Sequence, residues 1–282
     1  MTARAKLSVV LFVKNEARRI AAALETVRWA DEIVIIDDAS TDETPHICRA
    51  FGARVITCED SRGEFYKRRN FGFSQASGEW ILMMDPDERV TPELRDAMLR
   101  VLEDPDGCVG FSFWRRNFFW GRPLRHGGWR QRVLHFFRKG SGGDRGLRVH
   151  SPIEVDGQAG RLDADMDHFP FESVGHFIDK QNFYTTFEAK ELTDDSACSD
   201  PELRRRLVRR PLKIFWKMYV KKRGAADGFP GFVLAVLCSW VEFLRWAKCW
   251  ERVSAQAAQE GRADEARNAR ALPPVSASVE RG

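Results

Sequence analysis

Residues 80–88 read WILMMDPDE, five apolar residues running straight into Asp85, Pro86, Asp87 and Glu88. An apolar run of that length with no alternation is the pattern of a strand buried on both faces. Carboxylates crowded at the end of such a strand repel one another unless something positive compensates them. A divalent cation does so, and manganese or magnesium needs only one or two protein carboxylates when a substrate's phosphate oxygens complete its shell. The same residues also serve as a solvated acidic turn before the next helix, Pro92–Leu102, with Thr91 as its N-cap. The surroundings of the segment favour the cation.

Upstream, strand and helix patterns alternate. LSVVLFV at 7–13 predicts a first buried strand, and Glu16–Val27 carries Ile20, Ala23, Leu24 and Val27 at helical spacing. EIVII at 32–36 predicts a second strand, followed by a helix over Thr44–Phe51 with Pro45 in its first turn. Arg54–Ile56 predicts a third strand, Glu64–Ala76 a helix, and Trp80–Met84 the fourth strand. This alternation predicts an α/β fold, a mostly parallel sheet flanked by helices. Ligands in such sheets sit at the carboxyl ends of the strands, which directs attention to the polar residues after Val13, Ile36 and Met84.

Three further segments lie there or nearby. Val13-Lys14-Asn15-Glu16 leaves the first strand; it reads as a donor-binding turn or as a plain strand-to-helix turn. Asp37 and Asp38 leave the second strand, where a carboxylate accepts hydrogen bonds from a base or ribose, while Ser40, Thr41 and Asp42 offer caps to the following helix. Arg69-Asn70-Phe71-Gly72 sets a cation and an amide near a diphosphate, or else decorates a surface helix.

Downstream, residues 109–175 are rich in aromatics, Gly, Arg and His, with short strand patterns at Val109–Trp114 and Val133–Phe137. From Asn182 the pattern turns helical. Arg204–Arg223 holds ten Lys and Arg and no Asp or Glu, with Leu212, Phe215, Trp216 and Tyr219 as an aromatic stripe. Gly228–Gly231 breaks the chain before an apolar helix over Phe232–Trp250. The expected organisation is a catalytic domain over 1–181 (donor half about 1–105, acceptor half about 106–181), a basic, amphipathic helical extension over 182–262, and a disordered tail over 263–282.

With 43% hydrophobic and 30% charged residues, the chain is a globular protein and not a wholly disordered one. A net charge of +4 gives no general case for nucleic acid. The six cysteines are scattered without zinc-type spacing, as expected of thiols in a reducing compartment. Lys14, Asn15 and Glu16 end the first apolar run too abruptly for a signal peptide. The longest apolar run, Phe229–Val241, is shorter than the about 20 residues of a membrane span. A cytoplasmic protein is expected.

Taken in order and spacing, Lys14-Asn15-Glu16, the Asp37–Asp42 segment, Arg69-Asn70-Phe71-Gly72 and Asp85-Pro86-Asp87-Glu88 resemble the family 2 glycosyltransferases, whose fold is GT-A. Ala30–Val34, Arg115-Arg116-Asn117, His126-Gly127-Gly128-Trp129, Val149-His150 and Gly228–Gly231 are similar to a bacterial subgroup that extends the inner core of lipopolysaccharide. The resemblance, over about residues 6–252, implies an inverting hexosyltransferase using a nucleotide sugar, UDP-linked glucose by preference, and a saccharide acceptor on a glycolipid. It implies that Val13, Asn15, Glu16, Asp37, Asp38, Arg69, Asn70 and Asp85 bind the donor. It further implies that Asp87 and Asp85 hold manganese or magnesium and that His126, Trp129 and His150 face the acceptor.

Two departures fall in the acceptor half. Arg130-Gln131-Arg132 carries no carboxylate where the subgroup has one, and Ser151 stands where a Glu is usual. The general base is therefore sought elsewhere: at Glu154, at Glu88 beside the metal segment, or among Asp165, Asp167 and Glu172. His150 and His168 are expected to be structural. The basic aromatic segment fits the anionic inner face of the cytoplasmic membrane or a solvated helix face; nucleic acid is not the expected partner, and no oligomeric state follows. Two alternatives stand beside this reading: a transferase of the same fold for another cell-envelope glycan, and a membrane-binding protein that has lost turnover.

Overall fold

The computed structural model describes residues 4–58, 65–146, 152–194 and 199–271. The chain divides into two units, Met1–Glu172 and Ser173–Gly282.

In the first unit the predicted alternation forms as β1 (Leu7–Val13), α1 (Ile20–Glu25), β2 (Glu32–Asp37), α2 (Thr44–Ala50), β3 (Arg54–Thr57), α3 (Phe65–Gln75) and β4 (Trp80–Met84). A short β5 (Glu88–Val90) follows, then α4 (Pro92–Glu103). Thr91 caps α4, its hydroxyl accepting from the Leu94 N–H at 3.2 Å. The rest is strand: β6 (Gly110–Phe119), β7 (Arg122–Pro123), β8 (Gln131–Arg138), β9 (Gly142–Asp144), β10 (Ile153–Val155) and β11 (Ala159–His168).

The apolar runs are continuous because two cores need them. Val9, Leu11 and Val13 of β1 face one core with Ile20 and Leu24 of α1 and Leu94 and Met98 of α4. Val10 faces the other, with Val34 and Ile36 of β2 and Phe73 of α3. Successive side chains alternate across a strand, so a sheet covered on both faces requires both sets to be apolar. Each fully buried Leu or Ile contributes about 1.5–3 kcal/mol. Gly72 belongs to the second core: a Cβ there would lie 2.8 Å from the Phe12 ring and 2.9 Å from Ile36, so α3 packs this closely on β1 and β2 only with glycine.

The strand order is β3-β2-β1-β4-β8-β6-β11-β5, with β7 paired to β6. The β3, β2, β1 and β4 pairings are parallel, as the alternation predicts. Beyond β4 the sheet is mixed: β8 is antiparallel to β4 and β6, β6 and β11 are parallel, and β11 is antiparallel to β5. Among the described residues the strands after α4 follow one another without helices between them, so consecutive strands are not joined as parallel βαβ units. The β11–β5 pairing sets His168 opposite Glu88, and the β11–β6 pairing sets Asn117 beside His168.

The second unit is helical: α5 (Val174–Asp194), α6 (Asp200–Phe215), a π-helical turn (Trp216–Lys221), a 3-10 turn (Gly224–Asp227) and α7 (Gly228–Ala271). Helix α5 runs through the expected boundary at 181/182. It starts earlier because Ser173 caps it, accepting from the His176 N–H at 3.0 Å. Helix α7 runs on to Ala271, past position 263 where the tail was expected to begin. It is also longer than the run Phe229–Val241 implied, and Gly224–Gln259 is apolar and long enough to cross a membrane by length and composition. Ala189, Leu203, Trp246 and Cys249 form this unit's core. Among the described residues the five cysteines Cys48, Cys58, Cys108, Cys238 and Cys249 are free thiols.

The aromatic stripe expected on one face of the basic segment is split between two. Phe215 and Tyr219 pack against Phe232 of α7, with ring centroids at 6.2 and 5.7 Å, whereas Leu212 and Trp216 are exposed. The wider π-helical turn after Phe215 changes the phase that ordinary helical spacing assumes.

Candidate active site

The carboxyl ends of β1 and β2 are tied together by their loops. Asn15 takes a left-handed conformation (φ 56°). Its N–H donates to Ser40 Oγ at 2.9 Å, and its Oδ1 accepts from the Thr41 N–H at 2.8 Å. The Glu16 N–H donates to Thr44 Oγ1 at 2.7 Å, and the Ala17 N–H to Asp42 Oδ2 at 3.1 Å. The Val13 carbonyl accepts from the Asp38 N–H at 2.9 Å. Asp37 is buried and accepts from the Ser40 N–H. Asp38 lies between two cations, Arg68 Nη1 at 2.7 Å and Lys14 Nζ at 3.4 Å. These carboxylates stand at the mouth of parallel strands, where a nucleoside is bound in such sheets.

The carboxyl end of β4 is a tight acidic turn. Asp85 is half-buried, and Asp87 and Glu88 are buried. Glu88 Oε2 accepts from the Asp85 N–H at 2.9 Å, and its Oε1 lies 3.5 Å from Arg115 Nη1. Burial, reinforced by the charges of Asp85 and Asp87, pushes the Glu88 carboxyl up to about 8 against the pull of Arg115. The Arg89 guanidinium clasps the turn from below, donating to the Pro86 carbonyl at 3.0 Å and the Arg19 carbonyl at 3.1 Å.

Asp87 faces two residues from distant parts of the chain. His168 Nε2 lies 3.4 Å from its Oδ1, and Arg19 Nη1 lies 3.8 Å from its Oδ2. Asn117 holds the imidazole: its Oδ1 bonds His168 Nδ1, and its amide nitrogen donates to the Trp129 carbonyl. The Asn117 oxygen faces Nδ1, which leaves Nε2 turned toward Asp87.

These residues fit a divalent cation. A buried carboxylate, an imidazole held by Asn117 and a second carboxylate on the same turn are oxygen and nitrogen donors suited to manganese or magnesium. Burial, and after it the charges of Asp85 and Asp87, raise the Glu88 carboxyl, so added positive charge is favourable at this turn. Among the described residues no group of three or more His, Cys, Asp or Glu forms a ready metal cage. The nearest approach to one is the pair Asp87 and His168, with Asp85 on the same turn.

The family model described as glycosyl transferase family 2 matches residues 8–168, more than half of the chain. The chain belongs to that family. Its GT-A architecture is the one expected from the sequence. Among curated relatives, a glycosyltransferase of Rickettsia prowazekii is 25% identical over 86% of this chain and 86% of its own. The lipopolysaccharide core biosynthesis glycosyltransferase LpsC of Rhizobium meliloti is 26% identical over 89% of this chain and 94% of its own. Among solved structures, the mannosyltransferase of Pyrobaculum calidifontis in complex with GDP-Man and Mn2+ is similar at a TM-score of 0.46 and 16% identity, over 88% of this chain and 86% of that one.

Within this family 2 chain the residues singled out from the sequence fall into two groups. Val13, Asn15, Glu16, Asp37 and Asp38 share the β1–β2 mouth, and Asp85, Asp87 and Glu88 share the β4 turn. Arg69 and Asn70 are directed elsewhere. Arg69 Nη1 lies 3.0 Å from buried Asp144, and the Asn70 amide brackets the Asp144 backbone at 2.8 and 3.0 Å. They pin β9 to α3, while the preceding Arg68 reaches Asp38. Glu88, sought as a base, is sealed from solvent and holds the Asp85 backbone instead. Glu154 is exposed on β10 opposite Gly143, in a two-stranded sheet separate from the main one. Trp129 joins the site through its carbonyl, which accepts from Asn117, and the His126 carbonyl accepts from the Trp129 N–H at 3.2 Å. His150 lies outside the described residues.

Sequence reasoning missed Arg19, Arg68, Asn117 and His168 as members of the site. For His168 the available signal was weak: the last residue of a strand-like segment, just before Phe169-Pro170. Nothing local connects it to residue 87.

Proposed function

We propose that this family 2 glycosyltransferase moves a hexose, glucose from a UDP-linked donor, onto a saccharide of the lipopolysaccharide core with inversion at the anomeric carbon. The observation that carries the reading is the meeting of Asp87 and His168 beside Asp85 at the carboxyl end of β4. The core saccharide is supported by the Rhizobium meliloti relative, a lipopolysaccharide core biosynthesis glycosyltransferase. The acceptor is borne on lipid, so the enzyme works at the anionic inner face of the cytoplasmic membrane.

Asp37 and Asp38 receive the nucleoside, with Arg68 and Lys14 setting the direction of the Asp38 carboxylate. Asp87, His168 and Asp85 hold manganese or magnesium, which when bound neutralises the charge that develops on the departing diphosphate. Arg89 and Glu88 keep the turn rigid so that these donors need no rearrangement. The acceptor hydroxyl requires a base exposed enough to reach it. Glu88 is sealed from solvent, and Glu154, although exposed, lies on the separate β10–β9 sheet, whereas Glu172 is both exposed and beside Arg19. Its side chain is 46% exposed, and its Oε1 lies 3.6 Å from Arg19 Nε, on the arginine that also faces Asp87.

Calorimetric titration with UDP, with and without manganese, tests the donor site. Binding that requires manganese and disappears in Asp87→Ala is the expected result. Equal binding by the variant would remove Asp87 from the metal site, and turnover with UDP-glucose would then have to rest on other residues.

A further inference from the structure

We propose that the outer face of α6 and its π-helical continuation is a monotopic docking surface for anionic phospholipid. The proposal deepens the reading of a membrane-borne acceptor and specifies the residues that meet the lipid.

Two parallel rows run along this face. Val208, Leu212, Trp216 and Val220 recur every fourth residue and are 60, 68, 63 and 43% exposed. Arg205, Arg209, Lys213, Lys217 and Lys221 recur with the same period one residue behind, and all are exposed. Residues four apart stack on one side of a helix, so each row forms a continuous stripe. An ordinary helix would let such rows drift sideways, and the wider turn at Trp216–Lys221 offsets that drift in their last part. Four apolar side chains with a tryptophan among them, held in water on a basic helix, are unfavourable unless a partner covers them.

The charge identifies that partner. Arg204, Arg205 and Arg206 pair with Asp200 or Glu202 at the start of α6. Arg209, Lys213, Lys217 and Lys221 form no ion pair with any described residue. A cationic stripe beside an aliphatic and tryptophan stripe matches a phospholipid interface, phosphates outside and acyl chains within. A nucleic acid would use the cations and leave the aliphatic row in water. On α7, Phe229 is also exposed, at 74%.

The contact lies in the plane of the membrane. Helix α7 uses its polar side chains within the helical unit: Glu242 Oε1 accepts from Trp246 Nε1 at 2.9 Å, Arg245 pairs with Glu188 at 2.6 Å, and Lys248 donates to the Asn182 carbonyl at 2.6 Å and Thr185 Oγ1 at 2.9 Å. A spanning α7 would carry these groups into hydrocarbon.

The test is flotation of the purified full-length protein with vesicles of phosphatidylcholine alone and of equimolar phosphatidylcholine and phosphatidylglycerol. The protein is expected to float with the anionic vesicles only and to be released by alkaline carbonate. The triple variant Arg209→Gln, Lys213→Gln, Lys217→Gln should lose partitioning on the order of a hundredfold. The double variant Leu212→Ser, Trp216→Ser should lose about tenfold or more while keeping its salt dependence. Both variants alter exposed residues and should titrate UDP as the parent protein does, and Asp87→Ala should float normally, so loss of docking and loss of donor binding are separate results. Equal flotation with both vesicle types, full binding by either variant, or retention after carbonate would overturn the proposal.

Discussion

His168 Nε2 lies 3.4 Å from Asp87 Oδ1, although 81 positions separate them in the chain numbering. The contact exists because β5 leaves the acidic turn and pairs with β11, placing His168 opposite Glu88. Asn117, one strand further, fixes the imidazole through Nδ1. Replacing His168 by Ala should abolish manganese-dependent UDP binding without unfolding the protein. Asn117→Ala should weaken manganese affinity about 10- to 100-fold by freeing the ring. Titrating manganese into the UDP-saturated variants measures both, and unchanged affinity in His168→Ala would leave the imidazole a structural role only.

For the base, Glu172→Gln should lower kcat by about 100- to 10,000-fold while UDP binding stays as it is. Glu154→Gln should leave kcat near that of the parent, because Glu154 stands on β10, in the separate two-stranded sheet. Steady-state kinetics with a core-saccharide acceptor decide the matter. The opposite pattern would return the base to Glu154.

Neighbouring arginines of α3 should separate function from stability. Arg68 touches Asp38 at 2.7 Å, and Arg69 touches Asp144 at 3.0 Å. Arg68→Ala should weaken UDP binding about tenfold with little change in melting temperature. Arg69→Ala leaves the buried Asp144 carboxylate without this cation and should cost about 3 kcal/mol of stability. Paired calorimetry and thermal denaturation of the two variants would expose any exchange of roles.

Acid stability should report on Glu32. Burial pushes this carboxyl up, but hydrogen bonds from the Ser8 hydroxyl, the Ser77 N–H and hydroxyl, and Arg54 outweigh it and hold it at about 2, below its ordinary 4.5. The folded state thus favours the ionised form. The stabilisation is complete above about 4.5 and is lost as pH falls toward about 2. Glu32→Gln should flatten the decline in stability across that window, measured by urea denaturation at successive pH values. An equally steep decline in the variant would assign the acid sensitivity to other carboxylates.

By itself the sequence determined the parallel half of the sheet. The β1 to β4 strands were legible because a sheet covered on both faces demands unbroken apolar runs, and the loops at their carboxyl ends were legible because parallel strands open their ligand site there. Asp37, Asp38, Asp85 and Asp87 follow from position along the chain alone. The half of the sheet beyond β4 was not legible in this way. Its strands are mixed in direction, and β11 reaches β5 by register, not by any local pattern, so the nearness of His168, Asn117 and Arg19 to Asp87 was decided by the tertiary structure. The same holds for α3, where helical phase turned Arg68 toward Asp38 and Arg69 toward Asp144, and for α6, where a π-helical turn and the packing of Phe232 selected which aromatics remain exposed. Local pattern encodes which face of an element is buried; which distant side chains then meet is fixed only when the sheet closes its pairings.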